Sequence, residues 1–146
     1  MADLKPLFKD LIRLEIELWD AVDDRLVREV DLQLRNFLTL HVVATTRSCR
    51  VHDLVEQLGV AVGTASKAVD RVESTGHCVR RANPADRRSP IIELTSTGRR
   101  LYTAAAASVD RELVRRLESV LPAGSLTELS ASVAVLRAAG AAGKEP

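Results

Sequence analysis

Residues 77–100 hold six arginines, Arg80, Arg81, Arg87, Arg88, Arg99 and Arg100, against only two carboxylates, Asp86 and Glu93. A guanidinium stays charged at any physiological pH, and its planar fork of donors matches phosphate oxygens and guanine edges. Six of them in one short stretch suggest anion binding, with a nucleic-acid backbone as the anion. The bland alternative is a solvated arginine-rich surface, and clustering on both sides of one loop counts against it. Other chemistry finds little support. His41, His52 and His77 are scattered, with no H-x-x-E-H, no C-x-x-C and no acidic pair beside them, so no metal site is expected. There is no G-x-S-x-G, no glycine-rich phosphate loop and no carboxylate pair in a plausible cleft. The expectation is a protein that is not an enzyme and needs no cofactor.

Cys49 and Cys78 are too few for a disulfide framework. They pose a choice between a redox sensor and two small buried hydrophobes, and the second is the commoner fate of free cysteine. With no leader-like segment and no apolar run near the roughly 18 residues of a membrane span, a cytoplasmic protein without a membrane partner is expected.

The chain has 146 residues with 21 basic against 20 acidic side chains, a net charge of +1. The sum conceals its parts. Residues 1–44 carry 6 basic and 9 acidic groups (net −3), residues 45–100 carry 10 and 6 (net +4), and residues 101–146 carry 5 and 5. A basic middle thus lies between an acidic and a neutral end. Only Phe8, Trp19, Phe37 and Tyr102 are aromatic, so the core must be aliphatic.

Helices must position this middle segment. Leu4, Leu7, Leu11, Leu14, Leu18, Val22 and Leu26 recur every three or four residues and predict a long helix over 4–27. Phe8, Ile12 and Trp19 widen its stripe beyond what a small domain covers, which suggests burial against a second subunit. A second helix is predicted at 32–45, a third at 51–58 ended by Gly59, and a fourth at 63–75 ended by Gly76. Its inward positions are Ala65, Ala68, Val69 and Val72. Two short helices joined by a tight turn make a helix-turn-helix. Short β-prone runs at 77–82 and 91–95 flank the segment Asn83-Pro84-Ala85-Asp86-Arg87-Arg88-Ser89-Pro90, which predicts a hairpin with a charged tip, the wing of a winged helix. Thr95 would cap a fifth helix over 96–120, and Ser125 with Glu128 would form a capping box opening the last. The tail Gly140–Pro146 reads as frayed.

The stretch from Val72-Glu73-Ser74-Thr75-Gly76 through Asp86-Arg87-Arg88, with Leu94-Thr95-Ser96-Thr97-Gly98 after it, resembles the signature of the MarR family of transcriptional regulators. Ala61, where the family has a Ser or Thr cap, and His77-Cys78, where it has an apolar pair, depart from that pattern. The resemblance implies a mainly α fold: a winged helix-turn-helix at 31–100, with helices at 1–30 and 101–146 interlocking in an intertwined dimerisation region. It also implies a homodimer on a palindromic operator, acting as a ligand-responsive repressor.

In such a protein the fourth helix enters the major groove by its N-terminal half, which here offers Gly63, Thr64, Ser66 and Lys67. Arg71 is balanced between DNA contact and pairing inside the domain. On the wing, the resemblance makes Arg88 the minor-groove residue, Asp86 the group that orients it, and Arg87 a phosphate or groove contact. The alternative is a surface pair that only stiffens the loop. Arg47, Arg50, Arg80 and Arg81 suit phosphates better than base edges. A small-molecule effector would bind near Trp19, Phe37 and His41. Rival readings are a protein–protein adaptor on a degenerate winged helix, a cysteine-based redox regulator and, least supported, a metal sensor.

Overall fold

The computed structural model describes residues 2–143. In chain order the elements are α1 (Lys5–Val30), α2 (Leu34–Thr45), α3 (Val51–Leu58), α4 (Val62–Ser74), β1 (Cys78–Arg81), β2 (Ile91–Leu94), α5 (Ser96–Leu113), a π-helical turn (Val114–Glu118) and α6 (Ala123–Ala142). They form two compact units, residues up to Val109 and residues from Asp110 onward.

The first unit is built as its apolar spacing predicts. Leu26, Leu40, Leu54, Ala65, Val69 and Ala105 are fully buried, and Val72 and Ile92 nearly so, which makes the core aliphatic with Phe37 as its one buried aromatic. Gly59 and Gly76 take left-handed backbone, with φ of 66° and 80°, where a Cβ would be strained. The first closes α3 and the second makes the turn from α4 into β1. The strands pair antiparallel with Cys78 opposite Leu94 and Arg81 opposite Ile91. The Ile92 N–H donates to the Cys49 carbonyl at 2.7 Å, so the segment before α3 joins the edge of β2.

Thr95 caps α5 as expected: its hydroxyl accepts from the Gly98 N–H at 3.0 Å and donates to the Gly76 carbonyl at 2.6 Å. That start is crowded. A Cβ on Gly98 would lie 1.9 Å from the His77 carbonyl oxygen, so only glycine fits there. In the helix-turn-helix, α3 lacks a hydroxyl cap. Asp53 supplies a carboxylate instead from inside the first turn, accepting the Arg50 N–H at 2.8 Å. Asp23 of α1 does the same for α2, accepting the Leu34 N–H at 2.7 Å.

Three expectations at the C-terminal end are corrected in the second unit. The helix expected to run unbroken over 96–120 leaves α geometry at Leu113, and the Ser119 N–H reaches back five residues to the Val114 carbonyl at 2.8 Å. The turn next to a helix stop has no onward turn to hold its register. The Ser125–Glu128 capping box does not form, because α6 begins at Ala123 with Pro122 as its N-cap, three residues before Ser125. Pro122, with φ of −57°, already pre-sets that start. Nor is Gly140 in a frayed tail: α6 runs to Ala142, carried by Ala138, Ala139, Ala141 and Ala142. The rest of that expected tail, residues 144–146, lies outside the described residues.

Much apolar surface stays bare. In α1 only Val22 and Leu26 are buried, while Leu7, Phe8, Leu11, Ile12 and Ile16 are 41–65% exposed. In α6 no residue is buried, and Val133 and Leu136 are among its exposed apolar side chains. Among the described residues no single helix is long and apolar enough to cross a membrane.

Candidate nucleic-acid interface

The fourth helix turns Ala65, Ala68, Val69 and Val72 into the core, which leaves Gly63, Thr64 and Lys67 exposed and Ser66 half-buried at its N-terminal end. Four orphan N–H groups and the positive end of the helix dipole lie at this end. Among the described residues, nothing beyond its chain neighbours and the nearby backbone of its own helix lies within 4 Å of where a Gly63 Cβ would sit, so internal packing does not require this glycine.

The wing tip is held by its own main chain. Asn83 is buried. Its Nδ2 donates to the Ser89 carbonyl at 3.0 Å, and its Oδ1 accepts the Ala85 N–H at 3.1 Å. The Asp86 N–H donates to the Asn83 carbonyl and the Ser89 N–H to the Asp86 carbonyl. Asp86 does contact Arg88, though not as expected. Its Oδ1 accepts the Arg88 main-chain N–H at 3.0 Å, an Asx turn that fixes the backbone and leaves the guanidinium alone. Arg87 and Arg88 are exposed, and among the described residues neither makes an ion pair.

The other arginines divide. Arg47 is exposed and lines a cleft of about 310 Å³ with Ser48, Arg50, Asp53, Asn83 and Ile91, at the root of the wing. Arg81 is exposed but engaged, its Nε donating to Glu93 of β2 at 2.5 Å. Arg71 is half-buried and donates from Nε to Asn36 Oδ1 of α2 at 3.3 Å, so in this structure it pairs inside the domain. Arg80 departs furthest from its expected place among phosphate contacts. Its side chain is 24% exposed, and its guanidinium bonds Asp70 and Glu73 of α4 at 2.7 Å each. Burial alone would lower its pKa; the bond to Asp70 and the charge of Glu73 outweigh that and raise it.

Cys49 and Cys78 are buried, at 1% and 3% exposure. Burial pushes the Cys49 thiol up to about 12, with Asp53 and Cys78 adding to the effect; burial and then Glu73 push Cys78 up to about 11. At neutral pH both are held as protonated, buried thiols, which counts against redox regulation. The histidines converge on nothing. Among the described residues no three His, Cys, Asp or Glu groups could hold a metal ion.

Of the three residues expected around an effector, the structure brings two together. Phe37 stacks on His41 with ring centroids 5.8 Å apart and on Tyr102 of α5 at 5.9 Å, and His41 Nδ1 lies 2.9 Å from the Tyr102 hydroxyl. Trp19 stands elsewhere, lining a cleft with Asp23, Gln33 and Arg35. Tyr102, one of only four aromatics, joins this group with no spacing signal in the sequence to place it there. Asn83 is the buried tie of the wing, where Asn-Pro signals no more than a turn.

Residues 32–89 match the model of the MarR family. A curated relative, described as an uncharacterised HTH-type transcriptional regulator YfiV from Bacillus subtilis (strain 168), is 23% identical over 94 residues, which is 64% of this chain and 59% of the relative. The chain therefore spans little more than half of that relative's length. Among solved structures, CouR from Rhodococcus jostii RHA1 bound to p-coumaroyl-CoA is 25% identical with a TM-score of 0.80, covering 88% of this chain and 90% of its own. Sco3205, a MarR family transcriptional regulator from Streptomyces coelicolor in complex with DNA, is 20% identical with a TM-score of 0.86, covering 100% of this chain and 91% of its own. The match to the MarR family model thus spans the helix-turn-helix and the hairpin tip of this chain, residues 32–89.

Proposed function

We propose that this protein is a transcriptional regulator that binds a palindromic DNA operator as a homodimer and acts as a repressor released by a small molecule. The observation that carries the DNA reading is the wing tip. Arg87 and Arg88 are held out by the Asn83 and Asp86 main-chain bonds and have no carboxylate partner among the described residues. An arginine on a fixed loop backbone, with its guanidinium unpaired, suits a narrow minor groove. Gly63, Thr64, Ser66 and Lys67 at the start of α4 supply the major-groove side, with Gly63 leaving room for close approach. Arg47 and Arg81 are backbone contacts, and Arg71 braces α4 against α2. Sco3205, similar in fold, was solved in complex with DNA, which supports this reading.

The bare apolar faces of α1 and α6 support a dimer, since a lone subunit would expose them to water. In the proposed arrangement residues 1–30 and 101–146 form the dimerisation region and residues 31–100 the DNA-binding domain. Two recognition helices would then meet half-sites about one helical turn apart. CouR binds p-coumaroyl-CoA, and here the Phe37, His41 and Tyr102 group is the corresponding candidate for an aromatic effector. Such a ligand must favour the form that does not bind DNA, or it shifts nothing. The protein would work in the cytoplasm, where its operator is.

Selecting bound duplexes from a random pool, then titrating the best one against salt, tests the DNA reading. Each neutralised phosphate contributes about 0.9 to the slope of log affinity on log salt, so several contacts give a steep fall. No binding at low salt would favour the adaptor.

A further inference from the structure

Arg80 lies on β1, at the base of the wing, yet its side chain spans two turns of α4. Nη1 donates to Glu73 Oε1 at 2.7 Å, and Nη2 donates to Asp70 Oδ1 at 2.7 Å and more loosely to the Ser66 carbonyl at 3.4 Å. The Arg80 main-chain N–H adds a bond to Glu73 Oε2 at 3.1 Å. Ser66, Asp70 and Glu73 form one stripe on α4, spaced by four and three residues. Lone surface ion pairs contribute little, but a part-buried guanidinium shared by two carboxylates and a carbonyl is a network with fixed geometry. Asp70 also stands one turn beyond Lys67 on the same side of α4, at 62% exposure, where a bare carboxylate would repel a phosphate backbone.

We infer that Arg80 is a positioning residue that locks the recognition helix to the wing and masks the charges of Asp70 and Glu73 from DNA, without itself contacting DNA. The inference rests on the DNA-binding reading above. It is specific about how the two parts of that surface are kept in one alignment: through a single side chain of β1 that grips α4.

Two measurements test it. In the free protein, amide hydrogen exchange of residue 80 and of the C-terminal half of α4 should be roughly tenfold faster in Arg80→Gln, the size expected for losing one strong coupling. Unchanged exchange would overturn the clamp. On the selected duplex, four proteins form a cycle: wild type, R80Q, D70N/E73Q and R80Q/D70N/E73Q. R80Q should bind about tenfold more weakly, and removing the carboxylates should recover most of that loss only in the R80Q background. Equal effects of D70N/E73Q in both backgrounds would make Arg80 an ordinary phosphate contact and overturn the inference. If wild-type protein binds no duplex, the functional reading fails. Exchange protection lost in R80Q would then establish the clamp without its DNA role.

Discussion

Replacing Gly98 by alanine separates a close-packing requirement from ordinary helix propensity, because the two predict opposite signs. In an exposed helix interior, Gly→Ala stabilises by about 1 kcal/mol. At Gly98 the added Cβ would lie 1.9 Å from the His77 carbonyl oxygen and 2.7 Å from its carbon. The obstacle is main chain, so no rotamer change relieves it. The start of α5 would have to retreat by about 1 Å before the contact even reached 3.0 Å. That retreat pulls on the Thr95 N–H to His77 carbonyl bond of 3.0 Å and on the Thr95 hydroxyl to Gly76 carbonyl bond of 2.6 Å. Overpacking of this kind costs about 1–3 kcal/mol or more, and a lost cap about 1 kcal/mol. After the propensity gain, a net loss of about 1–3 kcal/mol remains. At this chain length that lowers Tm by about 2–12 °C. Gly140→Ala is the internal control. It lies inside α6 with nothing within 4 Å of a built Cβ, and it should raise Tm by a few degrees. Calorimetry on both variants at one protein concentration reads the difference. A Gly98→Ala protein as stable as the Gly140→Ala one would refute the close approach of α5 to His77, just before β1.

Cys49 and Cys78, with thiols at about 12 and about 11, ionise later in the folded chain than in the unfolded one, near 9. Their contribution to stability is therefore complete below pH 9 and is lost as pH rises from about 9 toward 11–12. Urea titrations should show wild-type stability falling more steeply with pH in that window than Cys49→Ala/Cys78→Ala, and equal slopes would contradict the burial. At pH 8 the folded protein should resist thiol alkylation and operator affinity should survive peroxide, whereas rapid labelling of both would revive redox regulation. Leu7→Glu/Leu11→Glu places charges on the bare face of α1. With about 1.5–3 kcal/mol per buried Leu counted in both subunits, it should weaken self-association by at least roughly ten-thousandfold by sedimentation. An unchanged oligomer would remove α1 from the interface.

The elements were legible where spacing alone decides them. Ala65, Ala68, Val69 and Val72 mark the buried face of α4, and Gly59 and Gly76 mark their turns through backbone conformations that side chains resist. The C-terminal end was less legible because local signals competed. Pro122 pre-set a helix start that the Ser125–Glu128 pattern placed three residues later, and alanines carried α6 through Gly140. In the site, residue types were readable but partners were not. Asp86 next to Arg88 suggested a carboxylate on a guanidinium, whereas the loop folds so that the main-chain N–H takes the bond. Arg80 looked like its neighbours in sequence, and only the packing of β1 against α4 shows that it belongs to Asp70 and Glu73. Nothing in one chain's sequence could place Trp19 apart from Phe37 and His41, since that depends on how α1 lies beside α2.

The most direct test is the affinity of wild-type and Arg88→Ala protein for the selected duplex, measured across a salt series. The prediction is a steep salt dependence for the wild type and, for the variant, a loss of about tenfold or more on the selected duplex with an unchanged Tm, the size of a base-edge or groove contact. Binding by Arg88→Ala within a factor of about two of wild type, or no wild-type binding to any duplex at low salt, would contradict it.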